Sequence, residues 1–450
     1  MVKRKRMKSQ MAVILMTMLF FAGTHSVQAE PRDTLRLTID KALEIAMSDN
    51  LNIKIADAEL ERVDYLKKEN WYMLLPSVNG SAQYTNNILK PVFFSDFFPG
   101  GKMEVGSTHS YAVGGTLQVP LLSFALYKNI ELSELEMKSA LESARTTKLD
   151  LVAQVKNSFY GIIMIEESLK VLEQSYKNAM ESASNIKNMY EKGLASEYDK
   201  IRSEVAARNI MPTLTQARNG LELAKMQLKI LLSLKMDTPI AAEGSFSMFE
   251  NEINNFQRDL SFTFDMNSSL KSMEIQLEKM NKSFELIHSQ RLPMLAGFAN
   301  YQLQMQSNEF SFNNSWSNSL AMGISLQIPI FNKLSVSMKE KQTQVVIRKM
   351  EYQRDLIREN LSLSAQNSIN EMTRAKIQLE SDKEAARQAK KGYEIAKVRY
   401  STGVGTVLEL NDTEVALTRS QLNLNQTLYD FLKAKNEFER VLGTENISKQ

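Results

Sequence analysis

Apolar residues in this chain follow two periods, and the periods alternate along it. Between Tyr127 and Tyr190 they recur at gaps of four and three. Leu151, Val155, Ile162, Ile165, Leu169, Leu172, Tyr176, Ala179, Ala183, Ile186 and Tyr190 share one seam, with Ser158 the single miss. A heptad seam held this long predicts one continuous helix. The stretch has no proline, and Gly161 is its only glycine. Roughly 65 residues at a rise of 1.5 Å make about 100 Å, far beyond a globular helix. The pattern returns in the second half, where Leu379, Ala386, Ala389, Tyr393, Ala396 and Tyr400 lie on one seam. The long helices are expected at about 124–190 and 335–400, each ending in a glycine turn, at 191–196 and 401–406. Shorter helices then return, to about 234 and 442, and amphipathic helices are expected earlier, at about 38–74 and 265–290.

Between these helices the period drops to two. Val78, Gly80, Ala82 and Tyr84 alternate with Ser77, Asn79, Ser81, Gln83 and Thr85; Tyr111, Val113, Gly115, Leu117 and Val119 alternate with Ala112, Gly114, Thr116 and Gln118. In the second half, Leu295, Gly297, Ala299, Tyr301 and Leu303 oppose Asn300, Gln302 and Gln304. Leu320, Met322, Ile324, Leu326 and Ile328 likewise oppose Ser319, Ala321, Gly323, Ser325 and Gln327. Strands are expected at about 76–87, 109–120, 293–306 and 316–330. Each is long enough to cross a bilayer at a tilt, with one apolar and one small-polar face. A soluble hairpin would normally carry Lys and Glu on its wet face; these polar faces carry no charge. Four strands cannot close a barrel, and lipid does not tolerate open edges, so closure requires an oligomer. Pro120 and Pro329 lack a ladder donor and are expected to end their strands, marking the passage from barrel to long helix. The intervening loop 88–104, with Phe93, Phe94, Phe97, Phe98, Pro91 and Pro99, is expected to pack on the barrel rim.

The two halves also repeat residue by residue. Thr116-Leu117-Gln118-Val119-Pro120 returns as Ser325-Leu326-Gln327-Ile328-Pro329, and Leu75-Pro76 returns as Leu292-Pro293. Tyr190-x-x-Gly193 with Glu204-Val205-Ala206 returns as Tyr400-x-x-Gly403 with Glu414-Val415-Ala416. Landmarks kept in order define one unit used twice. The first unit is expected over 30–262, including an equatorial segment at 235–262, and the second over 263–450.

Composition narrows the chemistry. There is no cysteine, which removes disulfides, thiolate metal sites, a catalytic thiol and a lipid anchor on cysteine. Three histidines leave little for a metal centre, and no catalytic spacing is found among the Ser, Asp and Glu, so neither an enzyme nor a cofactor is expected. With 55 Lys and Arg against 52 Asp and Glu there is no basic stripe for nucleic acid. The first 29 residues read as a secretory signal: Lys3 to Lys8 supply the charge, Met11 to Phe21 an apolar run too short to span, and Val27-Gln28-Ala29 the cleavage site.

Helix, hairpin, long helix, glycine turn and return helix, run twice, resembles the TolC-type family of outer-membrane efflux proteins, the outer membrane factors. The likeness rests on Leu37-Thr38-x-x-x-Ala42-Leu43, the junctions at Pro120 and Pro329, and the Tyr-x-x-Gly turns, and it runs from Leu37 to Gly443. It implies a mainly α protein with transmembrane β: a homotrimeric duct with four strands per chain in a shared 12-stranded barrel, continuous with a long α-helical barrel. Its place would be the outer membrane of a Gram-negative bacterium, in contact with outer-membrane lipid and reaching deep into the periplasm. It would work passively with a periplasmic adaptor (membrane fusion) protein and an inner-membrane pump of RND, ABC or MFS type, in efflux or type I secretion. The alternative is a coiled-coil adhesin or scaffold with soluble hairpins, which would need no detergent and form no pore.

The resemblance also implies sites. Gly193, Leu194, Ser196, Gly403, Val404 and Thr406 at the tips would dock the adaptor. Glu409 and Asp412 match acidic constriction residues, while Tyr400 and Asp199 match a pair tying the two tips together. Some members place a basic latch two residues after the second tip glycine; here that position is Gly405. Asp199 also stands three residues after Ser196, as the second half of a capping box would.

Overall fold

The computed structural model describes residues 34–444 apart from 98–99, 259–260 and 332. The expected signal peptide, and Phe98 and Pro99 of the aromatic loop, lie outside the described residues. The first unit runs β1 (Leu35–Leu37), α1 (Ile39–Asp49), α2 (Leu51–Tyr72), β2 (Ser77–Asn86), β3 (Val92–Phe94), β4 (Lys102–Glu104), β5 (His109–Leu122), α3 (Phe124–Glu191) and α4 (Glu197–Leu231). Then follow β6 (Ile240–Ala242), a single 3-10 turn, α5 (Glu250–Asn255), α6 (Ser268–Ser289), β7 (Met294–Ser307), β8 (Ser317–Gln327), α7 (Ser335–Ser401) and α8 (Val407–Leu442).

The two long helices, α3 with 68 residues and α7 with 67, are the staves of the molecule. On α3 pack α2 and α4, of 22 and 35 residues; on α7 pack α6 and α8, of 22 and 36. The heptad seam does this work: Leu151, Val155, Ile162, Leu172, Ala179, Ala183 and Ile186 are all buried. At mid-height the seams widen into one core, where Val155, Phe159, Ile162 and Ile163 meet Leu228, Leu232, Ile369, Phe431 and Leu432. Each such side chain contributes roughly 1.5–3 kcal/mol by leaving water. The parallel pair β1–β6 closes this belt.

The helix expected over 38–74 is broken at Asn50. Its Oδ1 accepts from the Asn52 N–H at 2.7 Å, capping α2, while its Nδ2 donates to the Leu231 carbonyl at 2.7 Å, at the end of α4. A capping side chain that satisfies two helix ends makes a break stable.

The membrane part is one antiparallel sheet in the order β2-β5-β7-β8. Its register sets Ser77, Gln118, Phe298 and Gly323 in one row, so the small-polar set forms one face. Pro120 does not end its strand: β5 continues to Leu122 through a register shift between Pro120 and Leu122. Because β2 begins at Ser77, opposite Gln118, the β2 side of β5 is unpaired beyond that point, where a residue without an N–H fits. β8 stops at Gln327, two residues before Pro329. The loop 88–104 folds into its own hairpin, β3–β4, with Phe93, Phe94 and Phe97 exposed rather than laid on the rim. It is Phe310 and Phe312 of the β7–β8 loop that cover the strand ends, against Tyr84 and Tyr111.

Both outer strands, β2 and β8, end the sheet with an unpaired edge. Val345, Tyr352, Leu356 and Leu363 also form an exposed stripe along α7. Among the described residues no helix is long and apolar enough to cross a membrane, and no group of side chains has the make-up of a metal site.

Candidate functional site

The end of the molecule furthest from the sheet is made by two helix reversals of the same design. At the first, Gly193 takes φ 73, and the N–H groups of Gly193 and Leu194 donate to the carbonyls of Tyr190 and Met189 at 2.9 and 2.8 Å. At the second, Gly403 takes φ 76, and Gly403 and Val404 donate to Tyr400 and Arg399, both at 3.0 Å. This left-handed closure satisfies the last carbonyls of a helix and suits glycine. The return helices are capped at once. Ser196 Oγ accepts from the Asp199 N–H at 3.1 Å and donates to the Asp199 carboxylate at 2.7 Å; Thr406 Oγ1 accepts from the Glu409 N–H at 3.1 Å. Leu194 and Val404 project at the two tips, 70% and 69% exposed.

Tyr400 and Asp199 are close but not hydrogen-bonded to each other within the chain. The Tyr400 hydroxyl donates to Met189 Sδ at 3.8 Å, while Asp199 is occupied by Ser196. Burial, and then the neighbouring Asp199 charge, hold the Tyr400 phenol above its ordinary value. Glu409 and Asp412 both stand exposed on the first turns of α8.

Sequence reasoning missed two residues here. Gly405 leaves its own position without a cation, but a Cβ there would meet Arg399 Cβ and the Tyr400 nitrogen at 3.0 Å each. The glycine thus lets the chain close against Arg399, whose Nε lies 3.7 Å from Glu409 Oε2. A cation is thus supplied to Glu409 from the preceding helix. The local sequence held a faint signal for this, an Arg six residues before a glycine at a crowded turn.

The second residue is Glu414, only 5% exposed, with Oε1 lacking a hydrogen-bond partner among the described residues. Burial pushes its carboxyl up to about 7, against the opposing pull of an Asn178 hydrogen bond and the Lys397 charge. It faces a cleft of about 540 Å³ between α3, α4 and α8, lined also by Ser175, Asn209, Asn411, Thr418 and Arg419. Thr418 Oγ1 donates to Ser175 Oγ at 2.9 Å across that seam. On the α7 side lies Tyr393, whose phenol is pushed up to about 12 by burial, then by Glu414 and Glu181.

A sheet of four amphipathic strands joined to staves about 100 Å long that reverse in glycine tips is the protomer of a membrane-anchored duct. The family described as "Outer membrane efflux protein" matches residues 42–232 and again 264–444, once for each half. The chain belongs to this family. It is 20% identical over 402 residues to "Toxin and drug export protein A" of Aggregatibacter actinomycetemcomitans, covering 88% of this chain and 84% of the relative. It is 22% identical over 416 residues to "Solvent efflux pump outer membrane protein SrpC" of Pseudomonas putida, covering 90% and 84%. Among solved structures, Vibrio cholerae VceC superimposes with a TM-score of 0.71 at 12% identity, over 90% of this chain and 96% of that one. Campylobacter jejuni CmeC superimposes with a TM-score of 0.74 at 15% identity, over 90% and 85%.

The protein is therefore an outer-membrane efflux channel of a Gram-negative bacterium, a passive conduit rather than an enzyme. It works as a homotrimer with a periplasmic adaptor and an inner-membrane pump. Trimerisation accounts for the two open strand edges: three chains supply a closed barrel of twelve strands.

Proposed function

We propose that the duct closes at its periplasmic end through the second-repeat tip, and that both tips receive the adaptor. The observation that carries this reading is the position of Glu409 and Asp412. They are exposed within two turns of the reversal at Gly403, at the end opposite the sheet. Three-fold symmetry repeats them as rings of carboxylates, which confer cation preference on a pore. Arg399 moderates the charge of that ring, and Tyr400, held between Met189 and Asp199, ties the second tip to the first. The adaptor seats on Gly193, Leu194, Ser196, Gly403, Val404 and Thr406, which form the two reversals. The cargo we assign is small apolar or amphiphilic molecules. The relatives named for toxin and drug export and for solvent efflux support this choice.

The test is to place Trp singly at Leu194, Ser196, Val404 and Thr406 and measure trimer content, adaptor binding and efflux. Intact trimers with lost adaptor binding and efflux are expected. Four variants that still bind adaptor and transport normally would move the docking surface elsewhere.

A further inference from the structure

The polar face of the sheet carries a single aromatic side chain. Phe298 stands on β7 between Ala296 and Asn300, with Gln118 of β5 and Gly323 of β8 directly opposite it on either side. Apart from Met294 at the first residue of β7, every other position of that face is Gln, Asn, Ser, Thr, Ala, Gly or Pro. The alternate face is the apolar one and meets lipid, so the face bearing Phe298 lines the lumen.

The ring is laid against the sheet. A Cβ at Gly323 would meet Phe298 Cζ at 3.1 Å and Cε1 at 3.3 Å. Gly323 is not among the glycines with positive φ, so its backbone would accept any side chain. What excludes one is the Phe298 ring alone. The phenylalanine is half-buried in the chain, so part of its ring stays open.

We propose that Phe298, seated on Gly323, is a lumenal stacking site for cargo with an aromatic body, repeated three times around the barrel. A flat ring offers its electron-rich face to offset-stacked rings and to cations. The Gln118 amide beside it adds a hydrogen-bonding partner for a polar edge of the same ligand. A twelve-stranded barrel is too wide for three flat rings to block it, so the site delays such molecules without stopping flow. Covering a glycine with an aromatic ring is also a way to stabilise a sheet, and that role alone would leave ligand block unchanged.

The experiment is single-channel recording of the purified trimer in planar bilayers. Tetraphenylphosphonium is the aromatic probe and tetrapropylammonium the control cation without rings. In Phe298→Ala, block by tetraphenylphosphonium should weaken about 2- to 10-fold, the span of a lost aromatic pair. Conductance in plain salt and block by tetrapropylammonium should not change. Phe298→Trp should retain the block. Gly323→Ala, which displaces the ring, should weaken it as the Ala variant at 298 does. Should Phe298→Ala yield no trimer, Phe298→Leu keeps apolar bulk without the ring and carries the same expectation. Block of equal strength in the parent and in the Ala or Leu variant overturns the site. So does an equal loss for both probes.

Discussion

The two tips are copies in sequence and differ in what surrounds them. Glu204-Val205-Ala206 and Glu414-Val415-Ala416 stand at the same distance beyond Gly193 and Gly403. Glu204 is half-exposed, whereas Glu414 is 5% exposed and its carboxyl is pushed up to about 7 by burial. Tyr190 is at the surface, its ring under Lys200 Nζ at 5.1 Å; Tyr400 is partly buried and reaches across to the first repeat. The cause lies in the packing order. α8 is held between α7 and α3, while α4 rests chiefly on α3. Duplication gave both tips the same turns and caps. Position in the wall made one of them the buried, titratable and cross-linked copy.

The largest expected effect comes from the two glutamates. A carboxyl whose folded value lies above its ordinary 4.5 adds stability in acid and loses it as pH rises through about 7. The parent trimer should therefore melt progressively lower between those two values. Glu414→Gln should flatten this slope and gain on the order of 3 kcal/mol per protomer above it. Glu204→Gln should behave as the parent. The groups facing Glu414 are Asn178 of α3, Lys397 and Tyr393 of α7, and Arg419 beside it in the cleft on α8. Melting in detergent across the window decides the matter: an unchanged slope in Glu414→Gln assigns it to another group.

A smaller, functional contrast is expected from the tyrosines. Tyr400→Phe removes the hydroxyl contact with Met189 and should raise open probability or drug leak through the isolated duct a few-fold. Tyr190→Phe keeps the ring that Lys200 covers and should conduct as the parent. Equal conductance in both variants would remove Tyr400 from the gate.

The smallest effects belong to the exposed charges. Arg399 and Glu409 are each about half exposed, at 48% and 49%, so breaking the pair should cost stability well under about 1 kcal/mol. Selectivity is the more sensitive readout, from reversal potentials in a salt gradient. Replacing Glu409 and Asp412 together by Ala should lower cation preference, and Arg399→Ala should raise it. Shifts in the same direction would contradict the arrangement.

Much of the fold is written locally. Alternation placed the four strands, and the heptad seam placed the long helices, because both periods reflect one face buried along a regular element. The break at Asn50 escaped because Leu51, Ile53 and Ile55 continue an amphipathic pattern on its far side, and only the Leu231 carbonyl makes the cap worthwhile. Pro120 is not legible as a mid-strand residue, because its tolerance depends on where the neighbouring strand β2 begins. Glu414 was invisible for the same kind of reason. Its twin, Glu204, sits in the same three-residue context and is not buried, so no local pattern separates them. Ser196 and Asp199 were readable as a capping box because both members lie within one turn.

The unpaired edges of β2 and β8 have a kinetic meaning. A lone chain holds a sheet whose backbone groups lipid cannot satisfy, so insertion by one copy is uphill and insertion by three together is not. The order of the folding reaction thus exceeds one: the rate at which channels appear rises more steeply than the supply of chains. Until two companions arrive, each newcomer must wait in the aqueous compartment with its apolar strands exposed. A cell that makes too little of this protein gets disproportionately few pores, and one that makes it in bursts needs something to keep the waiting chains apart.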